Sequence, residues 1–376
     1  MTAEVSLAKC TSYNDKEVEA ALRKAISAVT DLSYITEGTR VVIKPNLVSF
    51  LSPDRAATTH PVVLNALIRI LNEKGAKITV GDSPGGLFNS VYVNRVYKAT
   101  GMNNIEGAVL NRNFSQSVHH SDSALRAREF AYTSYLDDAD VIINLCKLKT
   151  HGMMGMSNAV KNMFGIIPGT VKPEFHFKFP DHNDFADMLI DLNESFRPAL
   201  CICDAVTGME GNGPTSGTPR DIGLIAASEN PYKLDLVCAK IIGLEKDNVP
   251  TLKRAFERGL APETAQQVKI NTDINNFIIS DFELIPRKSV TFNDAGGRLT
   301  AGILRKCMCS KPVLSKQKCI GCGECFRICP AAAIQMKNNL PAIDRSKCIY
   351  CFCCQEFCPE GAMHVKRPLA ARLLGK

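Results

Sequence analysis

"RVVIKPNLVSFLSPDRAATTHPVVLNALIRILNEKGAKITVGDSPGG", residues 40–86, reads as strand, helix, strand. "RVVIKPNLV" and "AKITVGD" are apolar, β-rich runs, and "HPVVLNALIRILNEKG" between them has a helical pattern that Gly75 stops. "GTRVVIKPNL" and "GAKITVGDSP" each follow a helical segment at similar spacing, as βαβ units require. Further β-rich runs are "AEVSLAKC", "DVIINLCKL", "ALCICDAV" and "IGLIAAS". Helical patterns separate them: "DKEVEAALRKAISAVT", "VYVNRVYKATG", "HNDFADMLIDLNESF" and "NPYKLDLVCAKIIGL". Continuously apolar strands alternating with helices predict the α/β class, a mostly parallel sheet with helices on both faces. Residues 1–309 are expected to form this domain, with 246–309 as its extension and connector. Within that stretch "VPTLKRAFERGLAPE" reads as helix, "QVKINTDINNFIIS" as strand and "IPRKSVTFNDAGGRLTAG" as an extended connector.

The 376 residues have 45% hydrophobic and 22% charged content, as a globular protein does. No apolar run is long enough for a membrane span. The first twenty residues have no apolar signal core, so the expected location is the cytoplasm. The net charge of +7 is spread without a basic stripe interleaved with aromatics, which argues against nucleic acid as a partner. The short basic end "VKRPLAARLLGK" reads as a docking tail.

Sixteen cysteines in a cytosolic chain point to metal rather than disulfides. Nine of them fall in "KCIGCGECFRICP" from Lys318 and "KCIYCFCCQEFCP" from Lys347, and eight of these nine make two copies of C-x2-C-x2-C-x3-C-P. Three cysteines at these intervals can hold three irons of a cubane, and the fourth is carried onward to the other cluster. One 4Fe–4S cluster is therefore assigned to Cys319, Cys322, Cys325 and Cys358, the other to Cys348, Cys351, Cys354 and Cys329. Two four-cysteine runs fit the separated knuckles of a zinc ribbon poorly. Cys353 is off register, a spectator or an alternate ligand. Cys307 and Cys309 form a CxC read as linker, and Cys201, Cys203 and Cys238 are assigned to the core. Over residues 315–367 this segment resembles bacterial two-cluster ferredoxins, which implies a small α+β ferredoxin-like domain at 310–376. Residues 316–367 hold eight Lys and Arg against four Asp and Glu. That balance invites an acidic electron donor, such as a ferredoxin or flavodoxin.

In open α/β sheets, ligands bind beyond the carboxyl ends of the strands. Those ends carry Lys44, Asn46, Asp82, Ser83, Lys147, Lys149, Thr150, His151 and Asp204. The segment "KLKTHGMMGMSNAVKNMFGIIPG" adds Asn158, Lys161 and Asn162. Its lysines, its glycines and the N-terminus of the helix that follows suit an anionic guest, a phosphate or carboxylate. His151, Lys149 and Lys161 are the candidate catalytic residues, His151 as a proton donor. The others are candidate cofactor or substrate contacts. "GMEGNGPTSGTPR" lacks the strand–GxGxxG–helix context of a dinucleotide site and reads as a long ordered loop.

"VVIKPNL", "VGDSPGG", "KLKTHGMMGMSNAVKNMFGIIPG" and the run from Asp204 to Gly243 resemble the family catalogued as domain of unknown function 362. The resemblance covers most of residues 35–245. It implies an iron–sulfur protein and supplies no reaction. The "HG…G…KN…PG" run is also similar to a segment of nickel-pincer lactate racemases. Three functions follow. The first is an oxidoreductase whose clusters pass single electrons to a cofactor (FMN is a natural adapter) or to an anionic substrate at the strand ends. The second is an electron-transfer or assembly protein that docks a partner enzyme, and the third a non-redox isomerase with structural clusters. Apolar loops such as "MMGM" and "NMFGIIPG" suggest a homodimer.

Overall fold

The computed structural model describes residues 2–285 and 310–366. The connector, Cys307, Cys309 and all but the start of the basic tail lie outside the described residues.

The main sheet has eight strands in the order β1-β10-β9-β7-β2-β3-β4, with β8 paired to β7. These are β1 (Ser6–Lys9), β2 (Arg40–Lys44), β3 (Lys77–Val80), β4 (Val109–Leu110), β7 (Val141–His151), β8 (Gly155–Ser157), β9 (Leu200–Glu210) and β10 (Thr218–Ser228). From β9 through β7, β2 and β3 to β4 every pairing is parallel. The β1, β10 and β8 pairings are antiparallel. A separate hairpin, β5 (Gln116–His120) with β6 (Glu129–Thr133), stands apart from this sheet.

Helices α1 (Asp15–Val29) and α2 (Pro61–Asn72) pack together and share one apolar cluster with Ile143, Leu145 and Ile202. Helix α7 (Pro231–Ile241) packs on the other side with Cys146, Leu148, Cys201 and Cys203. Alternate residues of one strand thus serve opposite faces, as a fully covered sheet requires. The remaining helices are α3 (Ser90–Ala99), α4 (Ala159–Asn162), α5 (Lys172–Lys178), α6 (His182–Phe196) and α8 (Pro250–Glu257). Gly75 follows α2 at φ +75°, where a Cβ would crowd Glu37.

Beyond the connector, β11 (Lys311–Leu314) pairs with β14 (Met363–Lys366), and β12 (Ile334–Lys337) with β13 (Leu340–Ile343). Two one-turn helices, α9 (Glu324–Arg327) and α10 (Cys353–Glu356), sit at equivalent places in the two cysteine motifs.

The structure corrects four readings. Residues 208–220 are not a long loop: β9 and β10 run through them as a hairpin whose tip is 211–217. Their Gly and Thr content mimics a loop, yet Gly208 lets Ile222 and the Leu148 carbonyl approach closely. "QVKINTDINNFIIS" is not a strand. Its Asn and Asp residues favour turns, Asp273 caps a short 3-10 turn at Ile274–Phe277, and only Ile270 makes a bridge, to Val5. The "MMGM" and "NMFGIIPG" residues are buried in the core, so they offer no dimer surface. Finally, α4 is a single turn whose Ala159 and Val160 amides bond the buried Asp235 carboxylate at 2.8 and 3.2 Å. Its N-terminus is therefore closed to a ligand.

Candidate functional site

At the carboxyl end of the parallel strands lies a cleft of about 440 Å³. Eight of the residues predicted from sequence line it: Lys44, Asn46, Asp82, Ser83, Lys149, His151, Lys161 and Asn162. β2 ends at Lys44, β3 ends two residues before Asp82, and β7 runs on to carry Lys149 and His151 with the same side-chain parity. β8 folds back on β7, and the α4 turn that follows it places Lys161 and Asn162 in the cleft lining.

A buried polar network fixes the floor. Lys44 Nζ lies 3.0 Å from Asp82 Oδ1 and donates to Asn162 Oδ1 at 2.8 Å. Asn46 donates to the same Asn162 oxygen at 2.9 Å. Lys149 Nζ donates to Asn46 Oδ1 at 3.0 Å and to the Ala57 carbonyl at 2.7 Å. Burial pushes the Lys149 ammonium down to about 7, against the opposing pull of Glu356. Lys172, buried on the cleft wall, donates to the Ser83 and Ile167 carbonyls, and burial also moves it down to about 7. Gly165 is required by this packing, since a Cβ there would overlap Asp82 Oδ1 and Lys44 Nζ.

Lys161 differs from the other lysines. It is 8% exposed and lies 4.7 Å from the Phe164 ring centroid. Among the described residues its ammonium has no hydrogen-bond acceptor. A buried cation without an acceptor is costly, and an anion in the cleft would relieve that cost.

Two contacts of the cleft come from segments that sequence reasoning passed over. Lys172 lies three residues past the motif that ends in "PG", and nothing in its spacing marks it. Glu356 comes from α10, between Cys354 and Cys358. Its Oε2 is 3.7 Å from His151 Nε2. His151 Nδ1 accepts the Met153 and Met154 amides, both at 3.1 Å, so the neutral ring carries its proton on Nε2, towards Glu356. Burial alone would raise the Glu356 carboxyl. The Lys161 charge and the His151 contact outweigh it and hold the group below the usual carboxylate range. A signal for Glu356 did exist: the same place in the first motif holds Arg327, so the two near-copies differ there by a charge reversal.

Four predicted residues lie outside the cleft. Lys147 and Asp204 form a buried ion pair at 2.9 Å, closed by the Tyr13 hydroxyl and the His60 amide. Thr150 donates to the Gly211 carbonyl and anchors the hairpin tip. Asn158 accepts the Cys146 thiol in the core.

The C-terminal segment docks on the α/β domain beside this cleft. Gln355 Nε2 donates to the Asn212 and Gly213 carbonyls, Thr215 donates to the Glu356 carbonyl at 3.1 Å, and the Phe357 ring packs over Gly85. Phe352 joins the main apolar core. Within the segment, one cavity of about 340 Å³ is lined by Cys319, Cys322, Cys325 and Cys358. A second, of about 330 Å³, is lined by Cys329, Cys348, Cys351 and Cys354, with Cys353 also on its wall. The Ala333 and Ala362 amides donate to Cys329 Sγ and Cys358 Sγ at 3.3 and 3.2 Å, in matching places of the two halves.

The domain of unknown function (DUF362) matches residues 41–240, which hold most of the cleft. This chain belongs to the DUF362 family. Residues 311–359 match the 4Fe-4S dicluster domain, so the C-terminal segment is an iron–sulfur domain of the kind that transfers electrons. The DUF362 chain is 34% identical over 269 residues to the thylakoid-associated protein sll1697 of Synechocystis, spanning 71% of this chain and 83% of that one. It is also similar to the lactate racemase apoprotein of Thermoanaerobacterium thermosaccharolyticum, at 14% identity and a TM-score of 0.42. That likeness covers 65% of this chain and 58% of the racemase. Among the described residues no helix is long and apolar enough to cross a membrane.

Proposed function

We propose that this protein is an iron–sulfur oxidoreductase that passes single electrons to a small anionic substrate held in the cleft. Two 4Fe–4S clusters would be held by Cys319, Cys322, Cys325 and Cys358, and by Cys348, Cys351, Cys354 and Cys329. The donor sets fit. The four assigned thiols line each cavity, with Cys353 a fifth on the second, while among the described residues no three His, Cys, Asp or Glu groups converge as a single metal ion needs. Amides directed at Cys329 and Cys358 are the kind of contact that stabilises thiolate ligands. Bound clusters would supply one-electron transfer and nothing else.

The rest of the chemistry belongs to side chains. Lys161, Lys149 and Lys172 would hold the anion, and the Lys44–Asp82 pair would fix the floor beneath it. His151 Nε2–H is placed to give a proton on the side facing the iron–sulfur domain. Glu356 would hold that proton's orientation and keep the ring at the seam. One observation carries this reading: a buried lysine with no hydrogen-bond acceptor among the described residues sits in a cleft whose wall includes a carboxylate two residues from cysteines of both cavities. The lining is mostly Lys, Asn, Asp and Ser, which favours a small anion over the broad ring of FMN.

The test is calorimetry with oxalate on anaerobically purified, cluster-loaded protein, beside an iron count and mass analysis of released small molecules. One oxalate per chain with about eight irons supports the proposal. Absence of oxalate binding, or a flavin released in stoichiometric amount, overturns the small-anion reading.

A further inference from the structure

The iron–sulfur domain is a tandem repeat whose halves meet different surroundings. Aligning the cysteines places Phe326 opposite Gln355 and Arg327 opposite Glu356. In the second half this face is covered. Gln355 is fully buried against the 211–217 hairpin tip, and Glu356 points into a cationic cleft. In the first half the equivalent face is open. Phe326 is 50% exposed, Ile320 is 66% exposed, and the Arg327 side chain is 57% exposed beside an exposed Cys322. Arg327 bonds Glu324 and the Cys322 carbonyl, so its guanidinium is held at the rim of the first cavity. Lys316 and Lys318 stand exposed just before Cys319.

The charge at this position is reversed along with the surroundings. The covered face presents a carboxylate to lysines, whereas the open side carries Arg327, ion-paired with a half-exposed Glu324, together with exposed Lys316, Lys318, Ile320 and Phe326 within the same twelve residues. An apolar centre within a charged rim is the anatomy of a transient protein interface. We propose that the face formed by Ile320, Phe326, Arg327, Lys316 and Lys318 is the entry port for an acidic one-electron donor protein. The second half, facing inward, serves the cleft. The step would be the transfer of one electron from the reduced donor, which would be oxidised, to a 4Fe–4S cluster held by Cys319, Cys322, Cys325 and Cys358, with no bond made or broken. This inference rests on the electron-transfer role proposed above and not on the identity of the cleft ligand.

The experiment uses the full, cluster-loaded chain and a reduced, acidic plant-type ferredoxin in stopped flow, reading the bleaching of cluster absorbance. For the wild type, the second-order rate should fall steeply as salt rises. Arg327→Glu and the double variant K316E/K318E should each lower it about tenfold or more at low salt. Reduction by dithionite and oxalate binding should be unchanged. Iron is counted in each variant, and if Arg327→Glu loses iron the lysine pair carries the test. A rate equal to wild type in an iron-replete lysine variant would overturn the port. A wild-type rate indifferent to salt would do the same. Clusters that dithionite cannot reduce would overturn the electron-transfer proposal itself, a different result from either.

Discussion

Lys161 sets the residue-scale chemistry. Its cost is that of a cation shielded from water with an aromatic ring as neighbour and no acceptor among the described residues. Lys161→Ala should therefore weaken oxalate binding about tenfold or more, and because Lys161 is also the main charge that keeps the buried Glu356 ionised, the thermal midpoint should not rise, as calorimetry and a melting curve would show. Lys149 and Lys172 add a pH dependence. Both are moved down to about 7 by burial, so above that pH they are increasingly neutral in the empty protein. A dianion favours their charged forms, so binding takes up protons and affinity falls as pH rises from 7 to 9. The slope should approach about tenfold per pH unit for each lysine that must be charged. The same shifts act on stability. The unfolded lysines hold their protons to higher pH, so these two groups make stability rise with pH between about 7 and their unfolded value. Titrations in two buffers of different ionisation enthalpy would count the protons. Most of these residues were legible in the sequence, because alternate positions of an otherwise apolar strand turned cationic at its carboxyl end. Glu356 was marked only by its charge reversal against Arg327, and nothing in the sequence placed it at the cleft, because it reaches His151 across more than two hundred residues of sequence separation. Lys147 shared the cationic pattern but is neutralised by Asp204, which only the β7–β9 register reveals.

Elements hold these side chains through close backbone approach. Gly165 leaves no room for a methyl group above the Lys44–Asp82 pair. Gly165→Ala should cost about 1–3 kcal/mol and abolish oxalate binding, seen as a lowered melting midpoint and a flat titration. A variant that binds normally would mean the floor is softer than its packing implies. The parallel strands were legible because burial on both faces makes them continuously apolar. The β9–β10 hairpin was not, since a strand with Gly, Thr and Pro beside its tip looks like a loop until its pairing is known. The one-turn α4 was overread as an anion-binding helix end. Asp235, which occupies its amides, lies 75 or more residues away in sequence.

On the scale of the molecule, two sequence families meet at one cleft. The hairpin tip 211–217 and the α10 turn form the seam, and Gln355 ties them together. The two-cluster character of the C-terminal segment was legible from spacing alone, but its placement was not, because docking is set by surfaces distant in sequence. Cys322→Ser should remove about half of the iron and leave the α/β domain's melting transition in place. Loss of all iron would show that the two halves of the iron–sulfur domain load as one unit. The most direct measurement of the central claim, that cleft and clusters work as one device, is a potentiometric titration of the clusters with and without oxalate, in wild type and in Lys161→Ala. An anion bound beside a cluster disfavours the more negative reduced form, and coupling of this kind is reciprocal. Oxalate should lower at least one cluster potential in the wild type, and Lys161→Ala should need about tenfold or more oxalate for the same shift. Saturating oxalate that leaves both wild-type potentials unchanged would contradict the proposal that electrons pass from the clusters to this site.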